Sequence, residues 1–247
     1  MKLDVVQLTS MKKMLGHPDY AAGKNGDTDA AYRLIRDTIV KKEHERKIQS
    51  LKERYPNAIL VAVHAEERQG INKIPQVLAN FISVKTGLKI NGGEDAIVQS
   101  VQVCRSYTDA LYRLALRPKF TGRVENGDYI IVDDVITAGG TLQELRCYIE
   151  SNGGNVAKMV VLAAAQFSTN INLSAKTEKQ LLEKYDIMKL GSFLREVDIY
   201  DGEAGYITEA EGREILRFKN LDSGRDRIIE KRFERDEQEI CGTLGKR

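Results

Sequence analysis

Short apolar runs punctuate this chain, and between them apolar residues recur at helical spacing. Ala58 to Val63 (Ala-Ile-Leu-Val-Ala-Val) is continuous enough to be a strand buried on both faces. Ala96 to Val103 is a second strand, alternating in its latter half, and Tyr129 to Val132 is a third. Val156 to Ala165 is a fourth, with Met159 to Leu162 at its centre. Helical spacing fills the gaps: Asp29 to Arg54 (Ala30, Ala31, Leu34, Ile35, Ile39, Ile48, Leu51), Lys73 to Thr86, Tyr107 to Leu116, and Leu142 to Ser151. Strands that alternate with helices predict an α/β fold, a mostly parallel open sheet with helices on both faces.

Breakers divide the rest. Gly16, Pro18, Gly23 and Gly26 interrupt residues 1–26, and Asp27 or Thr28 can cap the helix that follows. Lys41 to Lys47 is a solvated charged stretch or a break between two helices, with a basic binding patch as the other reading. Pro56 ends the helical region, and Gly153-Gly154 stops the helix after Leu142. Beyond residue 166 the pattern loosens. Helices are expected over Leu173 to Tyr185, from Thr208 to Phe218 and over Asp222 to Ile240, with a short strand at Val197 to Tyr200. The expected division is an N-terminal helical extension (1–57), a core (58–165) and a C-terminal region (166–247).

Composition narrows the class. The chain has 247 residues, 42% hydrophobic and 30% charged, enough for a sizeable globular core. A formal net charge of +2 makes no case by itself for nonspecific nucleic-acid binding. Cys104, Cys147 and Cys241 are odd in number and far apart, which argues against a disulfide framework or a zinc knuckle. No apolar run approaches the roughly 20 residues of a membrane span. The apolar part of the N-terminus is too short for a signal peptide. A cytoplasmic protein is therefore expected, with no membrane partner.

The chemistry concentrates in residues 129–141, Tyr-Ile-Ile-Val-Asp-Asp-Val-Ile-Thr-Ala-Gly-Gly-Thr. Asp133 and Asp134 place two carboxylates at the carboxyl end of a strand, where open α/β sheets bind ligands. Thr137, Ala138, Gly139, Gly140 and Thr141 then form a small-residue turn into a helix, which favours a phosphate at the helix N-terminus. Carboxylates for hydroxyls beside a phosphate cradle suit a sugar phosphate. An ordinary strand-turn-helix with an accidental acidic pair is the plain alternative, but buried adjacent carboxylates are costly without partners. Neither a Gly-x-x-x-x-Gly-Lys-Ser/Thr loop nor a Gly-x-Gly-x-x-Gly fingerprint is present.

This stretch resembles the phosphoribosyl-pyrophosphate (PRPP) signature of the type I phosphoribosyltransferases, and all thirteen positions fit. The resemblance implies a Rossmann-like core with a hood, here drawn from the N- and C-terminal regions, and a homodimer. It implies Asp133 and Asp134 on the ribose hydroxyls, residues 137–141 around the 5′-phosphate, and Mg²⁺ held through PRPP and water. Arg68 and Gly70, after the first strand, fit the family's pyrophosphate loop by position and type. The neighbouring Glu66 and Glu67 depart from it. Arg105 and Arg117 fall where the family has a mobile catalytic loop, and the stretch from Arg105 to Gly122 is similar to the competence-associated branch. His64 is either a general acid/base or a packing residue.

The implied activity is transfer of the phosphoribosyl group to a small-molecule acceptor, a nitrogenous base, with release of pyrophosphate. Thr137 stands where oxopurine-specific members have an acidic residue, so the acceptor stays open. The alternative is a non-catalytic PRPP- or nucleotide-sensing regulator that binds nucleic acid through Arg33, Lys41, Lys42, Arg46 and Lys47.

Overall fold

The computed structural model describes residues 3–64, 66–67, 70–101, 110–165, 169 and 171–244. They fall into two units, Met1–Gln102 with Lys119–Ile171, and Val103–Pro118 with Asn172–Arg247.

The first unit begins with a strand β1 (Val5–Gln7), short helices α1 (Met11–Leu15) and α2 (Tyr20–Lys24), and longer helices α3 (Thr28–Thr38) and α4 (Lys42–Arg54). Asp27 caps α3 by accepting from the Ala30 N–H at 2.9 Å. The helical stretch does break before the charged segment, and that segment folds as α4, with Ile48 and Leu51 buried and charges outward. Then come β2 (Ile59–Ala62), the hairpin β3 (Glu66–Glu67) and β4 (Gly70–Ile71), α5 (Ile74–Thr86) and β5 (Lys89–Ile90). Next are β6 (Val98–Val101), helix α6 (Ala110–Ala115) of the second unit, β7 (Lys119–Thr121), β8 (Asp128–Ile136), α7 (Gly140–Ser151) and β9 (Asn155–Ala164).

Five strands form one sheet in the order β1-β9-β8-β2-β5, all pairs parallel. Strand alternation sorts its side chains into two cores. Leu60, Ile130, Val132, Val160 and Leu162 pack with α3, α4 and α5 on one face. Ile59, Val61, Tyr129, Ile131, Met159 and Val161 pack with Leu142, Leu145 and Ile149 of α7 on the other. Each fully buried aliphatic side chain contributes about 1.5–3 kcal/mol. The expected fold class, a parallel open sheet with helices on both faces, is what these residues build.

Two expectations change. Ala96 to Val103 is not a strand of the main sheet. Its described part, β6, pairs antiparallel with β7, and β5 takes the sheet edge beside β2. β5 has only two paired residues, too few to show a period. Residues 1–57 are not set apart from the core: β1 pairs with β9, and Leu34, Ile35 and Leu51 are buried in the same cluster as Leu60.

The second unit holds α6, α8 (Ala175–Lys184), α9 (Ile187–Glu196), α10 (Glu209–Arg217) and α11 (Leu221–Leu244). Thr208 and Glu211 close a reciprocal capping box on α10. The short strand expected at Val197 to Tyr200 is a tight turn instead. Asp198, Tyr200 and Asp201 take positive φ of 52°, 50° and 49°. Burial explains the strain, because the Tyr200 hydroxyl reaches both carboxylate oxygens of Glu211, at 3.1 and 2.9 Å.

Candidate functional site

The sheet order itself locates a crevice. From β2 the chain crosses through α5 to β5 on one side, and from β8 through α7 to β9 on the other. Strand order therefore reverses between β2 and β8, and their carboxyl ends are the topological switch point. β2 ends opposite Val132, with one more bond from the Val63 N–H to the Val132 carbonyl at 2.9 Å. β8 continues to Ile136, held by β9 alone. Asp133 and Asp134 are thus not beyond the end of their strand, as the apolar run suggests. They lie inside it, just past the end of its neighbour.

Both carboxylates are buried, Asp134 completely. A buried carboxylate needs donors and a counter-charge. Asp134 has them: Lys24 Nζ lies 2.6 Å from Oδ2, Asn72 Nδ2 donates to the same oxygen at 3.1 Å, and the Val135 N–H donates to Oδ1 at 2.8 Å. Asp133 Oδ1 accepts from the Asp134 N–H at 2.8 Å. Strand alternation puts Asp134 on the α5 face and Asp133 on the α7 face.

Lys24 is delivered by close backbone packing. A Cβ on Gly23 would sit 3.0 Å from the Ala31 backbone, so only glycine lets α2 approach α3 this closely. The Gly23 carbonyl then accepts from the Lys73 N–H at 3.1 Å, which ties α2 to the start of α5. Asn72 is doubly used, since its Oδ1 also accepts from the Ile74 N–H at 3.2 Å in the first turn of α5.

On the other side of the acidic pair is the small-residue turn. Thr137 is exposed, Gly139 is buried with φ +81°, and Gly139 is the N-cap of α7. Glycine offers no side-chain oxygen to the first-turn N–H groups, and the first turn holds no acidic residue. Those N–H groups and the positive end of the helix dipole suit an anion.

Around β2, His64 Nδ1 faces the Gln76 amide Nε2, while Lys73 Nζ donates to Gln76 Oε1 at 3.4 Å. Gly70 is in β4, opposite Glu67. Arg68 and Arg105 lie outside the described residues.

Arg117 belongs to the second unit. There it is buried, pairs with Glu211, and stacks its guanidinium 4.2 Å from the Tyr200 ring centroid. Those partners account for its position, and it stands in a packed cluster rather than on an open loop. Two residues of the basic face are engaged as well: Arg33 forms a fork with Asp19 at 3.1 and 2.6 Å, and Lys47 pairs with Glu43 at 3.0 Å.

Lys24, Asn72 and Gln76 are site residues that sequence reasoning missed. Lys24 and Asp134 are separated by 110 positions, and no local pattern marks the lysine.

No protein-family model matches the chain. It is 32% identical over 232 residues to Protein TraN of Escherichia coli, a match covering 93% of this chain and 50% of that protein. It is 40% identical over 134 residues to an uncharacterized protein of Haemophilus influenzae, covering 54% of this chain and 29% of the relative. The chain therefore spans about half, or less, of the length of the curated relatives it matches. Among solved structures it is similar to an adenine phosphoribosyltransferase, with 15% identity and a TM-score of 0.36, over 56% of this chain and 72% of that one. A purine phosphoribosyltransferase from Pyrococcus horikoshii gives 15% identity and a TM-score of 0.32, over 66% and 90%. No helix among the described residues is long and apolar enough to cross a membrane.

Proposed function

We propose that the crevice between β2 and β8 binds PRPP and that the chain transfers its phosphoribosyl group to a nitrogenous acceptor. The observation that carries this reading is one juxtaposition. A buried carboxylate pair at the switch point stands next to a glycine-opened helix N-terminus on the same strand-turn-helix. Ionised carboxylates accept from a sugar diol, and the α7 N–H groups receive its 5′-phosphate.

Among the described residues no cluster of three metal-ligating side chains occurs. Asp133 and Asp134 suit a hydrated Mg²⁺ held mainly by the ligand's own oxygens, and such an ion supplies charge neutralisation at pyrophosphate. The protein's own part is positioning. Asp133 and Asp134 orient the ribose, and residues 137–141 fix its phosphate.

The test is a calorimetric titration of PRPP with Mg²⁺ into wild type and into Asp133→Asn/Asp134→Asn, followed by a screen of bases for pyrophosphate release. Saturable binding to wild type, lost in the double variant, is expected. A folded wild type that binds no PRPP would sink the reading.

A further inference from the structure

We propose that the corner where α3 gives way to α4 is a second binding site, independent of the crevice, which holds a small phosphate-bearing anion such as a phosphomonoester or a polyphosphate.

Three observations carry it. The first is an open helix start. α4 has 13 residues, and its N-cap, Lys41, provides no side-chain hydrogen bond. The N–H groups of the exposed Lys42 and Glu43 therefore have no acceptor within the helix. Those of His44 and Glu45 are taken by the Lys41 carbonyl, at 2.8 and 3.4 Å. The second is a buried polar side chain under that start. His44, the third residue of α4, is 8% exposed, and its Nδ1 is buried with no hydrogen-bond partner. A helical side chain leans back toward the N-terminus, and from the third position it reaches the N-cap backbone, so the ring is aimed at the open turn. The third is a set of cations without counter-charges. Lys13 on α1 donates to the Asp37 and Thr38 carbonyls, both at 3.1 Å, which brings an ammonium to the end of α3 without neutralising it. Lys41 and Lys42 are exposed and make no ion pair among the described residues.

These charges converge on His44. Burial, then Lys47, disfavours its protonated form; Glu43 opposes them, and Lys13 and Lys41 add to the depression. An anion at the corner accepts from the Lys42 and Glu43 N–H groups and from the lysine ammoniums, and the helix dipole favours it. It also favours the imidazolium, so its binding raises the pKa of His44. The first-turn acids Glu43 and Glu45 weaken the field, but Glu43 is turned to Lys47 at 3.0 Å. Around the corner Arg33 is forked on Asp19 and Arg36 is bonded to Asp37 at 2.7 Å. The uncompensated cations are thus gathered at one point, which fits a compact anion better than the extended backbone of a nucleic acid. Lys47 Nζ donates to the Gln7 carbonyl at 3.3 Å, so this corner lies beside β1, at the sheet edge, whereas the crevice opens between β8 and β2.

The chain has three histidines, His17, His44 and His64, so imidazole NMR can follow each one. Inorganic phosphate and tripolyphosphate are titrated into the full chain at pH 7, against sodium chloride at matched ionic strength. His44 should shift saturably with both phosphates, and its pKa should rise by about 0.5 or more. Lys41→Gln/Lys42→Gln should weaken the binding seen at His44 about fivefold or more, and Lys13→Gln should weaken it in the same direction. Thermal melts report folding, and either variant carries the test if the other does not fold. His64, beside β2, reports filling of the crevice. A shift of His64 without one at His44 would overturn the inference, and so would an equal response to chloride or a His44 response that the lysine variants leave unchanged. A response to a single-stranded oligonucleotide but to neither phosphate would overturn it as well. None of these outcomes bears on whether the crevice binds PRPP.

Discussion

Arg117→Met is the substitution that best separates support of the fold from chemistry. In the second unit the Arg117 side chain is 2% exposed and pairs with Glu211, itself 6% exposed. Breaking a buried pair by removing one partner costs about 3–5 kcal/mol, because the remaining charge stays buried. Loss of the Tyr200 stacking adds about 1 kcal/mol. Glu211 keeps donors in the Tyr200 hydroxyl and the Thr208 N–H, which offsets part of the loss. The net expectation is about 3 kcal/mol, or roughly 12–24 °C of melting temperature for a unit of this size. Arg117→Met/Glu211→Leu should lose less than the sum of the single changes by about 1–2 kcal/mol, since neither charge is then stranded. Calorimetric melting, with hydrogen exchange along α10, measures this. A variant that melts within about 2 °C of wild type yet no longer releases pyrophosphate from PRPP would refute the reasoning and return Arg117 to the reacting centre.

Gly139→Ala forces a side chain into φ +81°, a cost of about 1–2 kcal/mol. It should weaken PRPP at least about fivefold in a titration, and unchanged affinity would argue that the turn holds no phosphate. Burial raises the Glu209 carboxyl, but bonds from the Ser174 N–H, the Thr177 hydroxyl and Arg213 outweigh it and hold the group below the ordinary 4.5. Its contribution is therefore present above that value and lost as pH falls through the depressed folded pKa, so Glu209→Gln should flatten the acid limb of a melting-temperature profile. Burial, then Lys47, pushes His44 below 6.5, and its Nδ1 is buried without a hydrogen-bond partner. The unfolded chain binds that proton first, so stability falls as pH drops from about 6.5 toward the folded pKa, and His44→Leu should remove this slope from urea-unfolding curves measured between about pH 7 and 5.

The sequence made the regular elements of the first unit readable where burial was two-sided and long enough to show. β2, α5, β8, α7 and β9 fall within a few residues of the pattern, and Asp27 and Thr208 cap the helices they were expected to cap or start. What escaped is short or non-local. β1 and β5 have too few paired residues to display a period, and their pairing is decided by the strand beside them. β6 looks like any buried strand, and only its antiparallel partner takes it out of the main sheet. The turn at Asp198 to Asp201 is held by Tyr200 reaching Glu211, a contact between elements that apolar spacing cannot express.

The acidic pair shows why a local motif is necessary and still incomplete. Thirteen contiguous residues can specify a strand, two carboxylates and a turn, because each depends on neighbours in sequence. They cannot specify the partners that a fully buried carboxylate requires. That requirement is met from three other places: Lys24 before the sheet's central strands, Asn72 after β2, and a β9 register that lets β8 outrun β2. Lys24 in turn depends on Gly23 lying against Ala31, so a small residue in an unremarkable N-terminal stretch sets the charge balance of the site. The segment that looks like an extension is therefore part of the site's electrostatics. Any ligand that meets Asp134 meets the cation that residues 20–24 deliver to it.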